Sequence, residues 1–266
     1  MGDAIASFLS RPLGSTGINV CGLGLAGGYG APVEAVEMAF ERGVNYFYHG
    51  SLRAKGMNQA IKNIAAKGKR EKIIVVAQDY MRRSKTLVKW SFDSFLRKTE
   101  LDYVDVLLLG WHNSEPDKAT IETALEIKSK GQARFIAISG HNRPAFPEFA
   151  TTGKYDILHL RYNAIHRGAE TEIFPHMPQT KRPGVVVYTA TSWGQLLRVP
   201  SSAGDGKSPT GSDCYRFVLS NPSVDVVITG PKNMAQMTES LKTLEKGPMS
   251  ADELEWMRKV GEKLKR

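Results

Sequence analysis

The chain has 266 residues, 41% hydrophobic and 24% charged, mixed evenly enough that one large core and a single domain over residues 1–266 are expected. No apolar run reaches the roughly 18 residues that cross a membrane, and "MGDAIASFLSRPLG" lacks the basic start and long apolar stretch of a secretory signal, so a cytoplasmic protein with no membrane partner is expected. The net charge of +9 is scattered over "KGKREK", "YMRRSK" and "KLKR" without an aromatic-rich RNA-binding motif or a helix-turn-helix, which reads as solvated surface, so no nucleic-acid partner is expected, and leaves an anionic cofactor open.

Eight short apolar runs, often β-branched, follow one another: "VCGLGLAG", "VNYFY", "KIIVVAQ", "DYVDVLLLG", "ARFIAIS", "YDILHLRY", "GVVVYT" and "VDVVITG". Each has the composition of a strand buried on both faces of a parallel sheet. Helical patterns fall between them. "PVEAVEMAFERG" has Pro32 near its first turn and Gly43 at its end, while "TLVKWSFDSFLRKTE" and "ATIETALEIKSKG" carry apolar residues at three- and four-residue spacing. Eight such alternations in about 250 residues predict an α/β fold, a single (β/α)8 TIM barrel. "DELEWMRKVGEKLKR" adds an extra C-terminal amphipathic helix outside the barrel. Cys21 and Cys214 lie far apart with no metal-ligand spacing, so buried reduced thiols are expected, and no metal site.

"GLGLAG", Gly22 to Gly27, matches the G-x-G-x-x-G of an open nucleotide-binding sheet. That fingerprint also needs an acid about 20 residues on to hold the ribose. Tyr46, Phe47 and Tyr48 stand there instead, and eight units without a break favour a closed barrel, so these glycines read as a tight passage at the barrel mouth.

Taken in order, the segments resemble the aldo-keto reductases. "RPLGSTGINVCGLGLAGG" is similar to that family's opening, a short N-terminal hairpin closing the barrel bottom before the first barrel strand. The resemblance continues through "AFERGVNYF", "LDYVDVLLLGWH", "KSKGQARFIAISG", "LRYN", "VVVYTATSWGQLL" and "VITGPKNMAQMTESL", from about Arg11 to Leu244. It implies a nicotinamide dinucleotide, usually NADPH, extended across the C-terminal barrel face, and reduction of a small-molecule carbonyl by hydride transfer. It also implies a catalytic set of Asp, Tyr, Lys and His. There the tyrosine protonates the nascent alkoxide, the lysine held by the aspartate eases that transfer, and the histidine orients the substrate oxygen.

At the matching positions all four residues differ. Where the family has Phe-Asp-Thr-Ala followed by a tyrosine, this chain has Phe47, Tyr48, His49 and Gly50, with Arg53 at the tyrosine position. The strand that ends in Thr-Lys ends here in Ala77 and Gln78, and Gly110 stands at the histidine position. The usual proton relay cannot operate with these residues. The cofactor side is better kept. Ser139 matches the serine that meets the nicotinamide carboxamide, although Gly140 stands where an Asn is common, and His159 replaces the Gln that shares this contact. Tyr188 matches the tyrosine that stacks on the nicotinamide ring. "GPKNMAQMTESL" places Gly230, Lys232, Asn233, Gln236 and Glu239 at the loop and helix start that hold the adenosine phosphate and adenine, where a helix N-terminus with a nearby lysine is a reasonable anion site. Lys232 and Asn233 suit a 2′-phosphate, which favours NADPH over NADH.

Tyr48 ends the second barrel strand and, in the family register, points into the barrel mouth. It is either a relocated proton donor or a filler of the volume left by the missing residues. Arg53 then either hydrogen-bonds the Tyr48 phenolate or a substrate carboxylate, or lies exposed on a loop. His112, two residues after Gly110, faces the same way as Gly110 if that segment is extended and then partly replaces the missing catalytic histidine, or it caps a neighbouring loop. After strands five and six come "SGHNRP", with His141 and Asn142, and "RYNAIHRGAE", with Arg161, Asn163, His166 and Arg167. Loops at this end form the active face of such barrels, so these residues are substrate-contact candidates that suit an acidic substrate; His166 and Arg167 equally fit bracing of a helix start. A Gly/Ser/Pro-rich loop from about Arg198 to Ser212 follows strand seven, with Trp193 beside it either lining the pocket or buried against the barrel.

Three functions remain open on sequence grounds. The first is an NAD(P)H-dependent oxidoreductase with a non-standard active site. The second is an inactive relative that binds nucleotide as a sensor or partner subunit, and the third a barrel enzyme of non-redox chemistry.

Overall fold

The computed structural model describes residues 2–50, 54–79, 85–200 and 206–265. The chain begins with helix α1 (Gly2–Leu9), which no sequence signal announced, and an antiparallel hairpin, β1 (Arg11–Pro12) and β2 (Asn19–Val20). The eight apolar runs then form one closed parallel barrel: β3 (Leu23–Ala26), β4 (Tyr46–His49), β5 (Ile74–Asp79), β6 (Val104–Leu109), β7 (Ala133–Ser139), β8 (Ile157–Arg161), β9 (Gly184–Tyr188) and β10 (Val226–Thr229). Chain order is spatial order, and β10 closes against β3. Helices α2 (Val33–Glu41), α3 (Lys55–Ala66), α4 (Lys85–Thr99), α5 (Lys118–Ser129), α6 (Phe146–Thr151), α7 (Ala169–Glu172) and α8 (Gly211–Leu219) return the chain from strand to strand, α9 (Met234–Lys246) follows the last strand, and α10 (Ala251–Leu264) is the extra C-terminal helix. No helix among the described residues is long and apolar enough to cross a membrane.

Strand alternation splits the apolar residues into two cores. Tyr46, Ile74, Val76, Val106, Leu108, Ile157 and Val186 fill the barrel. Their neighbours Phe47, Val75, Leu107, Leu158 and Val187 face the helices. His49 shares the outward parity of Phe47; its ring meets Phe95 edge-on at 4.6 Å, and burial pushes its pKa down to about 4. Cys21 and Cys214 are buried and unbridged.

Three aspartates organise the bottom of the barrel. Asp105, Asp156 and Asp225 accept the backbone N–H groups of Val75, Ile136 and Val185 on the preceding strand. Each also meets a cation: Arg70 and Arg134 at Asp105, Lys128 at Asp156 and Arg182 at Asp225. Asp225 further accepts the Gly14 N–H and so ties in the hairpin. At the other end α10 lies directly on the loop after β8: a Cβ at Gly261 would stand 2.0 Å from the Ala164 carbonyl oxygen, and Arg258 grips Glu170 with two hydrogen bonds. With stability anchored below, the strand ends above are available for chemistry.

Candidate active site

A cleft of about 520 Å³ opens across the C-terminal ends of β3, β4, β9 and β10. Tyr48 and Tyr188 line its inner part. Tyr48 is half-buried, and its hydroxyl donates a hydrogen bond to Gln78 Oε1 on β5. The ring leans over Gly50, where a Cβ would lie 2.3 Å from it, so only glycine lets the tyrosine adopt this position. Its edge meets the His159 ring at 5.8 Å. His159 is fully buried on β8 and shares a 2.8 Å hydrogen bond with the Tyr46 hydroxyl; burial alone pushes its pKa down to about 3, so the imidazole is neutral at physiological pH. Gln78 is also buried, and its Nε2 has no hydrogen-bond partner among the described residues.

Beside this group, the loop after β6 folds back over the end of β7. Trp111 takes φ +62°, a left-handed conformation that breaks the strand, so the segment is not extended and the alternation argument that would pair His112 with Gly110 does not apply. The turn brings the Trp111 N–H to Ser139 Oγ at 3.0 Å and the His112 N–H to the Ser139 carbonyl at 2.6 Å. The His112 carbonyl then presses on Gly140, where a Cβ would come within 2.0 Å of its oxygen. An asparagine at position 140 would force this backbone to shift. The Tyr188 hydroxyl donates to the Gly140 carbonyl at 2.8 Å, and the exposed His141 ring meets Tyr188 edge-on at 5.9 Å. Asn142 is tied to the loop: its N–H reaches Asn113 Oδ1 and its Nδ2 the Asn113 carbonyl.

The candidates after β8 separate. Asn163 is fully buried; Oδ1 accepts the Ile165 and His166 N–H groups, and Nδ2 donates to the Thr189 carbonyl. Arg167 pairs with Glu262 on α10. Arg161 and His166 are half-buried, and Arg161 sits in register beside Tyr188. Arg53 lies outside the described residues. Trp193 is 59% exposed at φ +52° and lines the cleft, so it is not packed against the barrel. The loop expected to run to Ser212 ends sooner: Thr210 forms a capping box with Asp213, and α8 starts at Gly211. Residues 201–205 lie outside the described residues.

At the outer end, Gly230, Lys232, Gln236 and Glu239 line the cleft. Asn233 caps α9 by accepting the Gln236 N–H, and Gln236 Oε1 accepts the Lys232 N–H. Two N–H groups at this helix start are thus already engaged, and the side-chain cations carry the positive charge of the wall. Glu239 pairs with Lys242 at 2.7 Å. Sequence reading missed Tyr29, whose ring covers the bare Cα of Gly230, and Arg198, which lines the same wall. Neither Lys232 nor Arg198 has an ion pair among the described residues.

The family model of the aldo/keto reductases matches residues 31–203. The chain belongs to the aldo/keto reductase family. An aldo-keto reductase from Bacillus halodurans in its holo form has the same fold, with TM-score 0.78, 24% identity, and coverage of 94% of this chain and 95% of that one. L-galactose dehydrogenase of Arabidopsis thaliana is 26% identical over 283 aligned residues, covering 87% of this chain and 86% of the relative. NADH-specific methylglyoxal reductase of Escherichia coli is 24% identical over 149, covering 54% and 40%. Within the aldo/keto reductase frame, Tyr48 and Gln78 are the penultimate residues of β4 and β5, Gly110 directly follows β6, and the cleft from Tyr48 to Glu239 runs across the C-terminal face.

Proposed function

We propose that this aldo/keto reductase is an NAD(P)H-dependent oxidoreductase, favouring NADPH, that reduces a small carbonyl with Tyr48 as the proton donor. Family membership and the dehydrogenase and reductase among its relatives support the oxidoreductase class. The cleft suits an extended dinucleotide: Tyr188 offers an aromatic ring within it, and Lys232 and Arg198, which have no ion pair among the described residues, supply charge for phosphate. Lys232 and Arg198 are also the reason to favour the 2′-phosphorylated form. When bound, the nicotinamide supplies hydride to the carbonyl carbon.

The observation that carries the reading is the Tyr48 hydroxyl at the inner end of the cleft, held by Gln78 and wedged against the neutral His159. Gln78 explains how it works. A side-chain amide has nearly the same shape when turned by half. Turned so, Nε2 gains a partner by donating to the Tyr48 oxygen, and the tyrosine O–H is released toward the mouth. The phenol then protonates the substrate oxygen while the amide stabilises the phenolate by a hydrogen bond, without the charge a lysine would bring. In the orientation described, the O–H points at Gln78, which favours the second reading, a nucleotide-binding protein without turnover. Calorimetric titration with NADPH and NADH, followed by nucleotide oxidation over a panel of aldehydes and ketones, separates the two. Saturable binding with carbonyl-dependent oxidation supports the enzyme; binding without oxidation supports the sensor; absence of binding defeats both.

A further inference from the structure

Three arginines and His166 stand at or after the ends of β7 and β8, and all but Arg161 are accounted for. Arg143 meets Glu172 at 2.9 Å, and Arg167 meets Glu262. His166 is held uncharged at neutral pH by burial, reinforced by the nearby Arg161 and Arg143. The Arg161 guanidinium has neither a hydrogen bond nor an ion pair among the described residues. It is half-buried, and its charge acts on His166, together with that of Arg143, and on the Tyr188 hydroxyl. A guanidinium cannot escape by losing its proton, so a partly desolvated and unmatched one calls for an anion from outside the chain.

Its position indicates which anion. Along β8, Ile157 and His159 face the barrel interior while Leu158 and Leu160 face the helices, so Arg161 continues the inward row one layer above His159. Beside it in register is Tyr188, and the layer below holds the Tyr48–His159 contact. Two residues along a strand span about 7 Å. A ligand gripped by Arg161 and reaching Tyr48 is therefore a small molecule with its anionic group a few bonds from its reactive carbon. The phosphate-facing cations Lys232 and Arg198 line the cleft, whereas Arg161 does not.

We propose that Arg161 determines substrate specificity by binding the carboxylate of a small oxo acid, or of the corresponding hydroxy acid, through its guanidinium fork, with the carbonyl directed to Tyr48. The inference rests on the reading of the site as a carbonyl reductase, and the fork geometry suits a carboxylate bidentately.

The test compares wild type with Arg161→Met and Arg161→Lys on pyruvate and 2-oxobutyrate against their methyl esters. Each protein is saturated with the nucleotide it binds, and nucleotide affinity is measured separately. Arg161→Met is expected to lower the ratio of acid to ester kcat/KM by roughly 30-fold or more, with Arg161→Lys recovering part of it, and to retain nucleotide affinity and melting temperature. An unchanged ratio overturns the proposal. So does a parallel loss of nucleotide affinity, which would assign Arg161 to the nucleotide phosphates. If wild type turns over none of these compounds, the reductase reading is decided by the carbonyl panel, and calorimetric binding of pyruvate decides the Arg161 site alone: binding lost in Arg161→Met supports it, and equal binding, or none by wild type, refutes it.

Discussion

Replacing His159 by glutamine should make the protein markedly less sensitive to acid. His159 is fully buried and neutral, with a folded pKa near 3 caused by desolvation, against about 6.5 in an unfolded chain. As pH falls, the unfolded chain therefore takes up a proton before the folded one. Stability from the neutral ring is fully present above pH 6.5 and is lost progressively as pH drops toward 3. At pH 5 the loss is about 1.5 pH units at about 1.4 kcal/mol each, or about 2 kcal/mol. His49, buried against Phe95 with a folded pKa near 4, adds a similar loss over the same range. Urea unfolding of wild type at pH 7.5 and pH 5.0 should thus show a drop to which the two histidines contribute about 4 kcal/mol. His159→Gln, which keeps an acceptor for the Tyr46 hydroxyl, should reduce that drop by about 2 kcal/mol. An identical drop in wild type and His159→Gln would show that the ring is protonated or solvated in the folded protein, and the neutral imidazole beside Tyr48 would have to be abandoned.

Gly140→Asn should cost about 3 kcal/mol and lower Tm by roughly 10 °C, because its Cβ meets the His112 carbonyl; a melting curve matching wild type would show that the loop after β6 does not cross Gly140. Lys232→Ala should weaken NADPH about tenfold and NADH far less, since only the former brings a 2′-phosphate; equal loss for both in calorimetry places the lysine on a shared group instead. Asp105→Asn should destabilise by about 3 kcal/mol in urea, because Arg70 and Arg134 lose their common carboxylate while the Val75 N–H keeps an acceptor.

The barrel was readable because each strand is buried on both faces and so appears as an uninterrupted apolar run, whichever side chain turns inward. The helices were less uniformly marked. Met57, Ala60, Ile61 and Ile64 give α3 a buried face at helical spacing, but Ala54 makes no side-chain cap, so its start lacked punctuation. At the mouth, positions fixed by strand parity, such as Tyr48 and Tyr188, could be placed from sequence. Positions fixed by loops could not. Trp111 adopts φ +62° without being glycine, and nothing local in "LLLGWHN" announces the turn that carries His112 over Gly140. Arg198 and Tyr29 reach one cleft from opposite ends of the chain, and Asn163, which reads as a polar active-face residue, is fully engaged in holding its own loop. Arg161 gained meaning only when the neighbouring arginines were seen to be paired.

The most direct test of the proposed chemistry is a single-turnover measurement on Tyr48→Phe, with nucleotide prebound and oxidation followed after mixing with the best carbonyl substrate of the wild type. Loss of the proton donor should slow oxidation by about a hundredfold or more while nucleotide affinity stays within about twofold of wild type. Oxidation at the wild-type rate would contradict the assignment and leave Tyr48 as a packing residue over Gly50.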